Sequence, residues 1–414
     1  MPGRRQLSLV LVFAAGVAAG VSGDASAFDA AALRSRLARQ MNRAGPAAGA
    51  YVVDLNDGRA LFARRENVAR VPASVEKLYT TSTALLRFGA GERLATTVMA
   101  DAPPDTLGVV AGNLYLRGHG DPTFGSASFV ARGYGTGATV EDLAAGLAAA
   151  GVQEVRGGVR GDESLFDTLR GGPRTGYRFD SDLTGVLSAL SYDRGLRATK
   201  PPAAYAAGKL AKALRAEGIK VVGKSAAGAA PVGAIELARV TSPPMSTLIR
   251  LTSQPSDNFL AEMLLKGLGA RFGAGGTTAA GAGVVRAQLA SLGIHPRVVD
   301  GSGLSRSDRT TPRQVVRLLD RMEGQERFDA FYDSLSVAGR SGTLEKRMRK
   351  TAAAGNCSAK TGTLNYVSGL AGYCRTPGEH LVAFAFLMNG VNVVAARRLQ
   401  DRMTVAIAKY VAAP

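Results

Sequence analysis

Val71-Pro72-Ala73-Ser74-Val75-Glu76-Lys77 opens an apolar run that continues to Phe88. Proline suits the start of a helix because its missing N–H has no partner there anyway. The pattern predicts a helix beginning near Ser74. Ser74 and Lys77, three residues apart, then share one face about a turn apart. A lysine in that position can take the serine proton, but only when it is neutral. Its pKa must fall from about 10.4, through desolvation and a nearby positive charge. Lys360 is the candidate source of that charge. Glu76, adjacent to Lys77, points elsewhere and is a poor base. Ser-x-x-Lys alone also fits an ordinary exposed helix start, so the rest of the chain has to decide.

Two further stretches follow in order. Ser256-Asp257-Asn258 comes after Gln254-Pro255 and precedes a helical pattern. Its hydroxyl can relay a proton and its amide can hold a carbonyl or a lysine, although all three types are also preferred helix N-caps. Lys360-Thr361-Gly362-Thr363 lies in an apolar strand of a hairpin, with strands over 356–362 and 368–375 around Asn365-Tyr366. A lysine in such a strand needs a partner, because burying an unpaired charge is costly. Gly362 leaves room for another backbone, and an extended peptide can add to a strand edge. The Thr363 and Ser74 N–H groups are candidates for an oxyanion hole. The same hairpin sets Cys357 opposite Cys374, where antiparallel pairing allows a disulfide.

The chain has 414 residues, 46% hydrophobic and 20% charged, which excludes a disordered protein and supports more than one core. Residues 1–27 join a basic start (Arg4, Arg5), an apolar run from Leu7 to Val21 and a small-residue Ala25-Ser26-Ala27 end. This is the layout of a signal peptide. The expected mature protein is exported, periplasmic or extracellular, and soluble. Its formal charge of +18 falls only to +17 without the leader. That field favours anionic surroundings such as a wall polymer or an acidic membrane surface. Scattered basic residues and export argue against nucleic acid. His119, His295 and His380 lack metal-ligand spacing, so no metal is expected.

Helical periodicity marks Ala30 to Met41, and Asn56-Asp57-Gly58 joins two strands. From 95 to 240 the chain becomes strand-rich, broken by one helix at Thr139 to Ala150. Helical patterns resume at Met245–Leu251, Asn258–Leu268, Thr277–Leu292 and Pro312–Met322. A strand at Leu381–Met388 and a helix at Val394–Val411 finish the chain. The expected division is 1–27 leader, 28–94 with 241–414 as one domain, and 95–240 as an inserted β-rich domain.

Taken together, the three motifs resemble those of the class C low-molecular-mass penicillin-binding proteins, the D-alanyl-D-alanine carboxypeptidase/endopeptidase group of serine peptidases. The 182 residues between Ser74 and Ser256 are far more than in class A β-lactamases. The segments 112–122, 161–167, 300–306, 337–339 and 342–344 also resemble that family. Two features depart from it: a shorter insert than in the larger members, and Ser341 where an acidic or amide residue is more usual. The resemblance implies an α+β fold, a β-lactamase/transpeptidase-like antiparallel sheet flanked by helices, with the inserted domain. It implies Ser74 as nucleophile, Lys77 as base and Ser256 as proton relay. Asn258, Lys360, Thr361, Gly362 and Thr363 would bind peptidoglycan stem peptides. β-Lactams would acylate Ser74, and no cofactor is required. A β-lactamase or esterase on the same fold and a non-catalytic wall-binding protein remain open alternatives.

Overall fold

The structure, a computed structural model, describes residues 28–412 apart from 197 and 199; the leader expected at 1–27 lies outside the described residues. The chain begins with α1 (Ala30–Arg43), whose Leu33, Leu37 and Met41 form one buried stripe, and Asp29 caps it by accepting from Ala32 N–H. It continues through β1 (Ala48–Asp54), β2 (Ala60–Arg64) and α2 (Lys77–Phe88). The next stretch comprises β3 (Ala95–Ala100), β4 (Val109–Val110), β5 (Leu114–Gly118), α3 (Ala127–Gly133), α4 (Val140–Ala149), β6 (Glu154–Val155) and β7 (Val159–Asp162). It closes with α5 (Pro202–Ala216), β8 (Lys220–Val221), β9 (Ala226–Ala227) and β10 (Ile235–Thr241). Then come α6 (Met245–Ser253), α7 (Asn258–Phe272), α8 (Thr278–Ser291), α9 (Pro312–Glu323) and α10 (Phe328–Asp333). The chain ends with β11 (Ser336–Val337), β12 (Cys357–Leu364), β13 (Val367–Arg375), β14 (Leu381–Asn389) and α11 (Val393–Ile407).

Six strands form one antiparallel sheet in the order β11-β12-β13-β14-β1-β2. Both faces of its centre are covered, so β13 and β14 are buried almost throughout and show no polar alternation. Ala371, Tyr373, Ala383 and Ala385 face a core shared with α2, α6, α8 and α9. Leu370, Val382, Phe384 and Phe386 face a second core shared with α1, α11 and residues 338–353. Cys357 and Cys374 pair across β12 and β13 and are disulfide-bonded.

Residues 95–241 carry their own core between α4, α5 and a five-stranded sheet ordered β10-β3-β5-β7-β9, beside a small parallel sheet β4-β6-β8. This stretch is more helical than its turn-rich sequence implies. The fifteen-residue α5 was not expected, although its buried stripe (Ala203, Ala206, Ala207, Leu210, Ala211, Leu214) recurs at helical spacing. The β5–β7 and β7–β9 pairs are parallel. Phe166, Leu183 and Leu187 from this stretch pack with Phe259, Leu260 and Met263 of α7. Among the described residues no helix is long and apolar enough to cross a membrane.

The turn before α2 is seated on glycine. Ala73–Glu76 is a 3-10 turn, and only from Lys77 does the chain become α-helical. Gly362 and Gly369 are paired across β12 and β13 directly beneath it. A Cβ on Gly362 would lie 2.6 Å from Pro72 O, and one on Gly369 2.9 Å from Val75 Cγ2. On the other side a Cβ on Gly303 would lie 2.0 Å from Ala73 O. Gly362 thus makes room for the chain's own turn, a reason different from the substrate approach read from sequence. Gly362→Ala is expected to cost about 1–3 kcal/mol, because the blocking atom is backbone. Gly208→Ala, in open space within α5, should instead stabilise by about 0.5–1 kcal/mol. Chemical denaturation of both variants checks this, and a Gly362→Ala protein as stable as the parent contradicts it.

Candidate functional site

Three distant segments meet around Ser74. The 3-10 turn brings Lys77 Nζ to 2.9 Å from Ser74 Oγ, 2.7 Å from Asn258 Oδ1 and 2.7 Å from Ser302 O. Lys77 is fully buried and Ser74 is half-buried. Lys77 Nζ donates to all three oxygens; once neutral, the amine can keep the amide and carbonyl oxygens as acceptors and take the Ser74 O–H as a donor. Burial is the main cause that brings Lys77 down to about 8, against the pull of Asp300, Glu262, Asp257 and Glu76 in the other direction. The expectation that Lys360 lowers Lys77 gives way here to burial. Lys360 is itself held well below its usual value, first by burial and then by Lys77.

The Ser-Asp-Asn stretch divides its labour. Asp257 is the N-cap of α7, accepting from Leu260 N–H, and it pairs with Arg194 from the 95–241 stretch. That leaves Ser256 and Asn258 for the site. Ser256 is in the left-handed region at φ 64°, and so is Ala73 at φ 49°, next to Ser74. Non-glycine residues there store local strain, held by surrounding packing. Asn258 Nδ2 donates to Asp182 O at 2.8 Å, which orients its Oδ1 toward Lys77.

Lys360 is fully buried, and its Nζ donates to Ser256 Oγ at 2.8 Å and to Thr361 O at 3.0 Å. It sits behind the cleft rather than in it. Cys357 O accepts from Ala338 N–H of the β11 side. By antiparallel alternation, Thr361 and Thr363 also turn their backbone groups to that side, where β11 has already ended. Thr361 Oγ1 bonds Thr343 Oγ1 at 2.8 Å, and Arg397 Nη2 donates to Thr363 Oγ1 at 3.0 Å. Ser341, the departure noted in sequence, accepts from Val337 N–H and so fastens the Thr343 loop to β11.

A cavity of about 470 Å³ is lined by Ser74, Ser256, Asn258, Thr343, Thr361, Thr363, Arg347 and Arg397. It adjoins a larger one of about 990 Å³ through the shared residues Asn258, Leu304 and Thr363. Of the eight expected site residues outside the disulfide, Ser74, Ser256, Asn258, Thr361 and Thr363 line the cavity, Lys77 and Lys360 bond to them from behind, and Gly362 seats the Ser74 turn. The Cys357–Cys374 pair is at the opposite end of the hairpin strands.

Sequence reasoning missed the support beneath Lys77. Glu262 Oε1, one turn beyond Asn258 on α7, accepts from Gly301 N–H at 2.9 Å and Ser302 N–H at 2.8 Å. This fixes the carbonyl that Lys77 meets. Asp300 accepts from Gly303 and Ser305 N–H, and Asp308 from Val299 N–H. With Glu76 these carboxyls form a buried group whose pKa values are all raised, mainly by burial; Glu262 rises to about 8 and Asp308 to about 11. The upward shifts favour the neutral carboxyls and so weaken, without removing, the pull these groups exert on Lys77. Arg397 was also missed, since a helical arginine reads as solvated surface. Among the described residues no cluster of side chains could hold a metal ion.

The model of the D-Ala-D-Ala carboxypeptidase 3 (S13) family matches residues 30–184 and 180–410. A D-alanyl-D-alanine carboxypeptidase from an Actinomadura species is 31% identical, over 88% of this chain and 82% of its own. Carboxypeptidase DacB of Mycolicibacterium smegmatis is 31% identical, over 82% of this chain and 75% of its own. Penicillin binding protein 4 (dacB) from Haemophilus influenzae superposes with a TM-score of 0.76 at 20% identity, over 90% of this chain and 99% of that one, and so shares the fold.

Glu262→Ala leaves two buried N–H groups without an acceptor, at an expected cost of about 1–3 kcal/mol each. Glu262→Gln keeps an acceptor oxygen and should retain most of the stability. Urea unfolding distinguishes the two, and equal stability of parent and Ala variant contradicts the assignment.

Proposed function

Because the chain belongs to the D-Ala-D-Ala carboxypeptidase 3 (S13) family, we propose that its three-segment site is where it acts as a serine-type D-Ala-D-Ala carboxypeptidase, with Ser74 as nucleophile. The observation that carries this reading is the buried Lys77 amine within hydrogen-bond distance of Ser74 Oγ. Ser74 Oγ attacks the carbonyl between two D-alanines of a peptidoglycan stem, and Lys77 takes its proton. The Ser74 and Thr363 N–H groups receive the oxyanion. Ser256, bonded to Lys360, passes a proton to the leaving D-alanine. Lys77 passes the Ser74 proton on to reprotonate Ser256 and is neutral again; water then attacks the acyl carbonyl, Lys77 takes the water proton, and it gives that proton to Ser74 Oγ as the ester bond breaks. Attack at a crosslink by the same steps would be endopeptidase action.

Substrate binding follows from the lining of the cleft. Thr361 and Thr363 hold the terminal carboxylate by their hydroxyls, and exposed Arg397 rather than buried Lys360 supplies the facing charge. Lys360 keeps the Ser256 hydroxyl in place. Asn258 holds Lys77 and lies along the donor strand. β-Lactams present the same carboxylate and a strained carbonyl, and acylate Ser74. A second solved structure of the Haemophilus influenzae protein, in complex with a novel β-lactam, shares the fold with a TM-score of 0.73. Residues 28–94 and 241–414 form the catalytic domain and 95–240 the insert. Export to the periplasm or cell exterior, where this substrate lies, is part of the same proposal.

Incubation with penicillin followed by digestion and mass spectrometry should find the adduct on Ser74; an adduct elsewhere, or none, overturns the assignment. The base must be neutral to act. Acylation should therefore rise about tenfold per pH unit below about 8 and level off above it. A stopped-flow profile flat from pH 6 to 9 contradicts this. Arg397→Ala should raise KM for a short D-Ala-D-Ala peptide about tenfold with little change in kcat. An unchanged KM removes Arg397 from the carboxylate site.

A further inference from the structure

The positive charge of this chain is concentrated in three stretches. Residues 28–47, 338–356 and 392–410 together hold thirteen Lys and Arg against three Asp and Glu. The much longer stretch 95–241 holds sixteen against fourteen. The three basic stretches are not neighbours in sequence. They share one core, with Leu33, Leu37, Leu344, Met348, Met403 and Ile407 buried together against the same face of the six-stranded sheet. Their charges therefore form the outside of a single layer.

Helical periodicity explains why they point outward. Leu33, Leu37 and Met41 turn α1 inward, which leaves Arg36, Arg39 and Arg43 on the solvent side. Gln400, Met403 and Ile407 do the same for α11, leaving Arg398 and Arg402 exposed. Arg36 and Lys409 both lie over the Phe28 ring, at 4.0 and 5.7 Å, so the two helices present one continuous face. Exposed Arg340, Lys346, Arg349 and Lys350 extend it. Solvation alone does not require thirteen cations beside three carboxylates, and their mutual repulsion works against the compact state.

This layer runs into the reaction cleft. Arg397, beside Arg398 on α11, lines the cleft and bonds Thr363, and Arg347 lines it too while paired with Asp401 of α11. We infer that the outer face of α1, residues 338–356 and α11 is a docking surface for the acidic stem peptides of polymeric peptidoglycan, outside the cleft that holds the reacting stem. The inference rests on the carboxypeptidase reading and extends it to how the polymer is retained. A polymer with carboxylates at intervals can engage the face and the cleft at once, so that weak contacts add through effective concentration. Continuity with the cleft favours the substrate polymer over a lipid surface.

The test compares the full chain with a variant carrying Arg39→Glu, Arg43→Glu, Arg398→Glu and Arg402→Glu. None of these four side chains makes a hydrogen bond or ion pair within the described residues. Cosedimentation with purified sacculi at low salt should weaken about tenfold or more, and KM on sacculi should rise, while kcat/KM on a short D-Ala-D-Ala peptide stays the same. Added salt should weaken binding of the parent toward that of the variant. The four Arg→Lys changes should restore binding, and a thermal midpoint on each variant separates misfolding from lost docking. Unchanged sacculus binding, equal loss on the short peptide, or tight binding only to phosphatidylglycerol vesicles overturns the proposal. A parent inactive on the short peptide and unlabelled by penicillin would instead sink the carboxypeptidase reading, while cosedimentation still reports on docking.

Discussion

The Lys77 amine is held by oxygens from three segments far apart in the chain: Ser74, Asn258 and Ser302. A buried ammonium is costly, and burial therefore favours the neutral form that can accept a proton. The rest of the architecture supplies those oxygens or keeps them still. The 3-10 turn sets Ser74 one turn from Lys77, and the Gly362–Gly369 pair lets that turn sit on the sheet. Gly303 brings the Ser302 loop onto the turn from the other side.

Helix α7 is the beam that joins these parts. Asn258, Glu262 and Lys266 recur every four residues and share a face. Asn258 touches the lysine, and Glu262 fixes the loop whose carbonyl the lysine meets. Lys266 is fully buried and pairs with Asp167 at 2.5 Å, tying the helix to the 95–241 stretch. Asn258 and Asp257 make two more ties to that stretch, through Asp182 and Arg194. The stretch between the first two motifs thus braces the same helix that presents the amide.

Much of this was legible in the sequence because it depends on local rules. The Ser74-to-Lys77 spacing, the hairpin facing Cys357 with Cys374, and the amphipathic helices follow from backbone geometry and hydrophobic period. What was hidden depends on contacts across the chain. No one-dimensional pattern groups Glu76, Glu262, Asp300 and Asp308, yet they are buried together beneath Lys77. Gly362 read as clearance for a substrate, while its Cβ position is filled by Pro72 O, 290 residues earlier in the chain. Lys360 read as one of the residues that bind the stem peptide, while the strand turns it inward to Ser256 and α11 brings Arg397 to the cleft. Helix α5 did carry its signal, a small-residue stripe at helical spacing, which the turn-rich texture around it masked.

The central claim is that burial lets the Lys77 side chain give up its proton near pH 8 instead of at the ordinary lysine value. Selective 15N labelling of lysine and NMR titration of the amine, with Lys77 assigned by its loss in Lys77→Met, measures this directly. The account predicts a midpoint near 8. A midpoint at the ordinary lysine value of about 10.4 would contradict it.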